Sequence, residues 1–296
     1  MKHELEDISV CPVCGERRFK DVLRVVDHNY SGDKFKIVCC KNCGFKFTNP
    51  RPIEASISQY YKSENYISHT SSNKGIFNKA YIAVRNYQFR KKLKIINSLS
   101  TNKNKNILDI GCGTGDFLSF CSENGWVSRG VEVDKEARSL ANERNNTAVE
   151  KSIDFVIEKK EKFDVITLWH VLEHIYDINQ YLNKIKLLLK DGGHVILGLP
   201  NHKSYDSSHF KENWYAYDVP IHVSHFSRKD IQVLSGKHKL KYVKDLPLMF
   251  DAYYISLLSS KKSGQNLLSA LYIGWLSNMK ARKNKEFSSI MYILAK

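Results

Sequence analysis

The stretch Asn106-Ile107-Leu108-Asp109-Ile110-Gly111-Cys112-Gly113-Thr114-Gly115-Asp116 (NILDIGCGTGD) decides how the rest of the chain is read. Residues 106–110 make a short apolar strand with an acid near its end. A turn holding Gly111, Gly113 and Gly115 follows, and residues 116–123 then carry a helical pattern. Glycines let a backbone approach a ligand with no Cβ in the way, and a helix N-terminus offers unpaired N–H groups. The motif is not a phosphate loop, because no Gly-Lys-Ser/Thr follows, and its glycine spacing departs from the dinucleotide fingerprint. Glu132 lies 23 residues beyond Asp109, in a second strand over residues 131–134, where a carboxylate can grip both hydroxyls of a ribose.

Working outward, strands and helices keep alternating. Residues 163–168 (FDVITL) read as a buried strand. Ile178, Leu182, Ile185 and Leu189 share one helical face, and Gly192-Gly193 is expected to end that helix. Residues 194–199, 241–246 and 289–294 are expected as the fifth, sixth and seventh strands. Residues 250–275, rich in Tyr and Leu, are expected as helices between the last two, covering the acceptor site or making a subunit contact. This order implies an α/β, doubly wound sheet with its site at the carboxyl ends of the strands.

On the D-I-G-C-G-T-G turn and Glu132 the chain resembles the class I S-adenosylmethionine-dependent methyltransferases, over about residues 105–296. The resemblance implies a seven-stranded Rossmann-like methyltransferase sheet with S-adenosyl-L-methionine as cofactor. Asp109, Gly111, Cys112, Gly113 and Gly115 would lie by its amino-acid part and Glu132 by its ribose. Asp154 would lie near the adenine, and Val133, Trp169 and His170 would complete the pocket. A Rossmann-like domain for another nucleotide is the alternative.

The N-terminal region carries a different signal. Cys11 and Cys14 (CPVCG) and Cys40 and Cys43 (CKNCG) form two knuckles suited to a structural Zn(II), with Cys39 the less apt neighbour of Cys40. Two prolines in residues 48–52 (TNPRP) mark a boundary. Three regions are expected: a zinc ribbon over 1–50, a helical linker and lid over 51–104, and the methyltransferase domain over 105–296. In the middle region Tyr81, Val84, Tyr87, Leu93 and Ile96 recur at helical intervals, and Tyr60, Tyr61 and Tyr66 are read as lid or core.

The acceptor site is expected from two histidine-bearing stretches. His170, Glu173 and His174 have i, i+3, i+4 spacing, which on a helix gives one face, and His222 and His225 lie in residues 214–226 (WYAYDVPIHVSHF). Methyl transfer is mostly positioning, with a base where the acceptor must lose a proton. His225 is the first choice for that base and His222 the second. Residues 214–226 also resemble a segment of bacterial sugar C-methyltransferases, which likewise begin with a four-cysteine zinc module. This implies a nucleotide-linked sugar or polysaccharide precursor as acceptor, although those enzymes carry a further C-terminal domain for which this chain leaves no room. In the ubiquinone-pathway O-methyltransferases, an E-x-x-E-H stretch here implies a divalent ion at Glu173 and His174, with His170 in place of the first glutamate.

The 46 Lys+Arg against 31 Asp+Glu give a net charge of +15, which suits nucleic acid, anionic surfaces or phosphorylated small molecules. A small-molecule acceptor is expected. RNA is the alternative, against which the ribbon loop over 16–36 mixes acids with bases and lacks aromatics interleaved with arginine. A catalytically silent scaffold is a third reading, against which Asp109, the three glycines and Glu132 are intact. The apolar stretch 267–276 is too short to span a bilayer, and residues 1–10 carry acids where a signal peptide is apolar. A cytoplasmic protein with no membrane partner is expected, and no oligomeric state is read.

Overall fold

The computed structural model describes residues 4–61, 76–100, 102, 105–145 and 149–296. Tyr66 and the side chain of Tyr81 lie outside that description. At the N-terminus β1 (Leu5–Glu6) pairs antiparallel with β5 (Arg51–Pro52). Between them β2 (Phe19–Val26), β3 (Lys34–Cys40) and β4 (Lys46–Thr48) form an antiparallel sheet. The two cysteine knuckles sit in the turns before β2 and after β3. The helix α1 (Ile76–Asn97) then leads to the large sheet.

That sheet is built from β6 (Lys105–Ile110), β7 (Trp126–Val131), β8 (Val149–Glu150), β9 (Phe163–Trp169) and β10 (Leu189–Pro200). The helices α2 (Asp116–Glu123), α3 (Lys135–Asn145), α4 (Ile153–Glu158) and α5 (Ile178–Leu188) connect them. After β10 come α6 (Tyr205–Phe210), β11 (Ser224–His225), α7 (Arg228–Lys237), β12 (Lys241–Pro247), α8 (Met249–Lys262), α9 (Leu267–Asn284) and β13 (Ser289–Ala295). The seven strands lie in the order β12-β13-β10-β9-β6-β7-β8. Only β13 runs against its neighbours, inserted between β10 and β12. The strand order reverses between β6 and β9, which run parallel, so their carboxyl ends open the crevice where such sheets bind ligands.

Burial explains the strand sequences. Ile107, Leu108, Val165, Ile166, Val195 and Ile196 are all fully buried, as expected where helices cover both faces. The α1 residues Leu93 and Ile96 pack with Ile107, Phe117 and Trp126 on one face. Of the residues read as its apolar face, Leu93 and Ile96 bury against the sheet, whereas Val84 and Tyr87 are exposed.

Two local expectations need correction. The helix before the fifth strand stops at Leu188, not at Gly192-Gly193, and the chain enters β10 at Leu189. The glycines lie inside the strand, where its register against β9 breaks between Leu189 and His194. A Cβ on Gly193 would stand 2.9 Å from the Lys190 carbonyl oxygen and 3.0 Å from that of Phe163, so the pair permits a bulge and does not cap a helix. Residues 170–174 are not an α-helix either. His170 has φ +56, and a single turn covers Leu172–His174.

The small sheet does not stand alone. Its fourth strand is β11, from the far end of the chain, which pairs antiparallel with β4. Thr48 Oγ1 donates to the His222 carbonyl at 2.8 Å, and the Thr48 amide donates to that of Val223 at 3.1 Å. Cys11, Val13, Val38 and Phe45 share one apolar cluster with Phe226, Ile231 and residues of β6 and β9.

Candidate active site

A cavity of about 820 Å³ opens at the carboxyl ends of β6 and β9, within the size range of small-molecule sites. Its floor is the turn after β6, with Asp109, Gly111, Cys112, Gly113 and Thr114. One wall is α1, through Arg85, Gln88, Phe89 and Lys92, and the opposite wall is Asp134, Ala137 and Leu140. Tyr61 and Trp169 close it. Gly111 has φ +69, and a Cβ there would meet Val171 Cγ2 at 2.4 Å, so this floor position excludes a side chain twice over. Gly113 has φ +55 with open space around it, a cradle that a Cβ would begin to fill.

Asp109 is 2% exposed. Burial pushes its carboxyl up to about 7, although Thr167 Oγ1 donates to it at 2.6 Å and the Lys92 charge pulls the other way. Glu132 accepts from the Gly113 amide at 2.8 Å and the Asp134 amide at 2.9 Å, so it ties the glycine turn to the rim after β7. Each of its oxygens keeps acceptor capacity for a hydroxyl.

Other expected cofactor residues stand apart from this cavity. Gly115 faces α3, where a Cβ would lie 2.4 Å from Asn145 Nδ2 and 3.0 Å from Ala141 Cβ; it is a packing glycine. Val133 is 79% exposed. Asp154 sits in the first turn of α4, paired with Lys184 at 2.7 Å, and is not among the lining residues. His170 points to Asp251 at 3.0 Å and to Glu173 at 3.5 Å. Crowding by protein would lower its pKa, but those carboxylates win and raise it to about 10.

Beside the cavity lies a second polar group. Glu173 is 1% exposed, and neither of its oxygens has a hydrogen-bond partner among the described residues. Burial would raise its pKa, but the neighbouring imidazoles, first His170 with its Nδ1 3.5 Å from Oε1 and then His222 and His174, hold it below the usual range. One ligand atom from each of Glu173, His174 and His222 lies within 4.8 Å of the others. The rings of His174 and His222 meet edge to face at 4.6 Å. Burial first, then the neighbouring His222, lowers His174 to about 4, so it stays neutral at pH 7. Its Nδ1 lies 2.9 Å from the Tyr61 hydroxyl, and Tyr61 lines the cavity.

His225 is differently placed. Its Nε2 is 3.2 Å from Thr48 Oγ1, its ring packs edge-on to Tyr217, and it is not among the cavity's lining residues. Burial, then His222 and His202, lowers its pKa well below the ordinary value. The histidine-bearing stretches do converge, but they present His174 to the cavity through Tyr61 and hold His225 against the small sheet.

Sequence reading missed Lys92. Its Nζ sits 3.6 Å from the Trp169 ring centroid. Burial lowers it to about 8 against the pull of Asp251 and Asp109. The only sequence signal was a basic residue on the inner side of an amphipathic helix. At the other end, Cys11 and Cys43 Sγ atoms are 3.7 Å apart, Cys14 and Cys40 are 3.5 Å apart, and all four lie within 4.8 Å of one another.

Residues 84–244, more than half of the chain, match a family model described as a methyltransferase domain. Among curated relatives, the ubiquinone biosynthesis O-methyltransferase of Vibrio vulnificus (strain YJ016) is 34% identical over 110 residues, covering 34% of this chain and 47% of its own. That of Coxiella burnetii (strain Dugway 5J108-111) is 28% identical over 119 residues, covering 37% and 50%. The chain spans about half the length of the curated relatives it matches. Among solved structures, magnesium protoporphyrin IX methyltransferase from Synechocystis PCC 6803 with bound SAH superposes with a TM-score of 0.54 at 10% identity, covering 82% of this chain and 100% of that one. At such identity the likeness shows a shared fold. The chain belongs to the methyltransferase-domain family, and its sheet is the Rossmann-like sheet of class I methyltransferases.

Proposed function

We propose that this member of the methyltransferase-domain family transfers the methyl group of S-adenosyl-L-methionine to a small-molecule acceptor. The observation that carries the reading is the cradle of Asp109 and Gly113 at the floor of a cavity that Tyr61 and Trp169 close, with Glu132, not itself a lining residue, accepting from the Gly113 amide. When bound, the cofactor supplies an electrophilic methyl group on a sulfonium. The chain's own residues do the rest. Glu132 suits the ribose hydroxyls, ionised Asp109 the positive amino group, and Lys92 the carboxylate borne on the same carbon. Tyr61 stands where an acceptor with a proton to lose can hand it over, and His174, in the tautomer with its proton on Nε2, receives the tyrosine's proton on Nδ1 in turn; the Ile221 carbonyl 3.2 Å away can accept the N–H that forms, and the Glu173 carboxylate stabilises the charge. The acceptor class follows the resemblance of residues 214–226: a nucleotide-linked sugar or polysaccharide precursor, whose phosphates the +15 chain would attract.

Calorimetry tests the cradle. Glu132→Ala is expected to weaken binding of S-adenosylmethionine by about 100-fold, since it removes charge-assisted hydrogen bonds of about 1.5–3 kcal/mol each. Unchanged affinity would remove Glu132 from the pocket. Release of S-adenosylhomocysteine across a panel of nucleotide sugars, phenols and RNA then identifies the acceptor. Turnover on RNA alone would favour the nucleic-acid reading.

The pH dependence of binding has a stated sign. Asp109 gives up its proton near pH 7, and only the ionised form attracts an ammonium group. Affinity is therefore expected to rise between pH 6 and pH 8, by less than the roughly tenfold that Asp109 alone would give, because Lys92, held near 8, begins to lose its charge over the same interval. In Asp109→Asn that rise should vanish; an equal rise in the variant would assign it to another group.

We also propose that Cys11, Cys14, Cys40 and Cys43 hold a structural Zn(II). Zn–S bonds of about 2.3 Å in a tetrahedron put sulfurs about 3.8 Å apart, and the observed 3.7 and 3.5 Å separations fit. A second reading of the Glu173, His174 and His222 group is a divalent-cation site. Its favouring observation is the orphaned Glu173 carboxylate beside two neutral imidazoles. Loss of turnover in a chelator too weak to strip the thiolate site, restored by added cation, would select that reading.

A further inference from the structure

The helix α9 is packed inside out. Its buried face is Ala270, Ile273, Gly274, Ser277, Asn278 and Ala281, mostly small residues that bring it close to α8. A Cβ on Gly274 would stand 2.9 Å from Tyr253 Cα and 3.0 Å from the Ala252 carbonyl oxygen. The large apolar residues point the other way: Leu268 is 77% exposed, Tyr272 56%, Trp275 47% and Leu271 45%. Water-facing helices ordinarily bury such residues. On α8, Tyr254 and Leu257 extend the exposed surface. Asn278 Nδ2 donates to the Met249 carbonyl, which brings the Met279 end of α9 beside exposed Met249 and Phe250. Phe250 in turn meets Tyr87 of α1, ring to ring at 5.8 Å, next to the cavity wall. One apolar surface thus runs along the hairpin to the cavity side of the sheet.

Charge selects the occupant. Between Asp251 and Glu286 the chain has no acid, while it has the exposed Lys261, Lys280, Arg282, Lys283 and Lys285; Lys262 turns inward over the Tyr215 ring. A second copy docked face to face would set this basic hairpin against itself, because a two-fold contact pairs each patch with its own image. Nucleic acid would meet the cations but leave the leucines and methionines wet. An interface of acyl chains under anionic headgroups satisfies both, with Trp275 and Tyr272 at the depth where amphipathic rings settle.

We propose that the α8–α9 hairpin is a monotopic docking surface for a membrane bearing anionic lipids. Among the described residues no helix is long and apolar enough to cross a membrane, and none is needed. The expectation of no membrane partner rested on the length of the 267–276 stretch, which tests for a span; the outward face of the same residues is the feature that matters here.

The experiment is co-sedimentation of the full chain with phosphatidylcholine vesicles and with vesicles containing phosphatidylglycerol. Binding is expected only to the second, falling as salt rises. Replacing exposed Leu268 and Trp275 by serine, and separately Arg282 and Lys283 by glutamine, should each lower bound protein by about tenfold. Thermal unfolding should stay unchanged in both, since these side chains are exposed. No binding to phosphatidylglycerol vesicles would overturn the proposal, as would binding that ignores the Leu268 and Trp275 changes. A dimer in solution that the same serine variant splits would assign the face to a second copy. RNA binding lost in that variant would assign it to nucleic acid. The readout is partition alone, so it is independent of the catalytic reading.

Discussion

Cys40→Ser is expected to release the bound metal, make residues 1–50 sensitive to protease, and cut methyl transfer by two orders of magnitude or more. The argument runs through packing. Cys40 closes β3, and Cys11 and Cys40 are both 1% exposed within the cluster that also holds Phe45, Phe226 and Ile231. Small zinc sites supply about 10–16 kcal/mol of apparent folding free energy, comparable to a whole domain's stability of about 5–15 kcal/mol. A ribbon without its ion would therefore release β4. With β4 goes the strand pairing of Ser224 and His225, and with Thr48 goes the hydrogen bond to the His222 carbonyl. The Val223 amide also donates to the Glu173 carbonyl at 2.9 Å, so the disturbance reaches the cavity's edge. Metal analysis, limited proteolysis and turnover check the three parts. A variant that lacks zinc yet turns over normally would remove the ribbon from catalysis.

His174→Ala should lower kcat by about 10²–10⁴, the usual contribution of a positioned base, while binding of S-adenosylmethionine stays within about twofold. Tyr61→Phe removes only the hydroxyl that links His174 to the cavity and is expected to fall between that variant and wild type. Because His174 titrates near pH 4, kcat should stay flat from pH 5.5 to 8, while the apparent KM for the methyl donor carries the Asp109 limb. A drop in affinity as large as the drop in kcat would move His174 from proton transfer to pocket construction. Should His225→Ala abolish kcat and His174→Ala spare it, the base assignment reverts to His225, against its contact with Thr48.

The parts legible in the sequence were local. The turn at residues 111–115, the acid 23 residues on and the cysteine spacing each fit within one connection or one knuckle, so residue type alone constrains them. The missed features come from contacts far apart in the chain. Lys92 enters the cavity because Leu93 and Ile96 bury against Ile107, which turns its neighbour inward over Trp169. His170 and Glu173 meet through a left-handed residue, and helical spacing describes that contact without its geometry. The placement of His225 was hidden for a similar reason. Pairing with β4, nearly 180 residues earlier, turns His225 toward Thr48, and no local pattern announces such a pairing.

That same pairing has a consequence for synthesis. Residues 46–48 leave the ribosome long before residues 224–225, and at about 5–20 residues per second the interval is roughly 10–35 s. Throughout it the outer edge of the small sheet is an open template for any passing strand. The exposed Lys20 and Arg24 of β2 on the opposite side offer that edge no cover. Nascent chains of this protein should therefore depend on holding factors more than either sheet's size suggests, and ribosome profiling that finds the chain released early would locate a failure at this one seam.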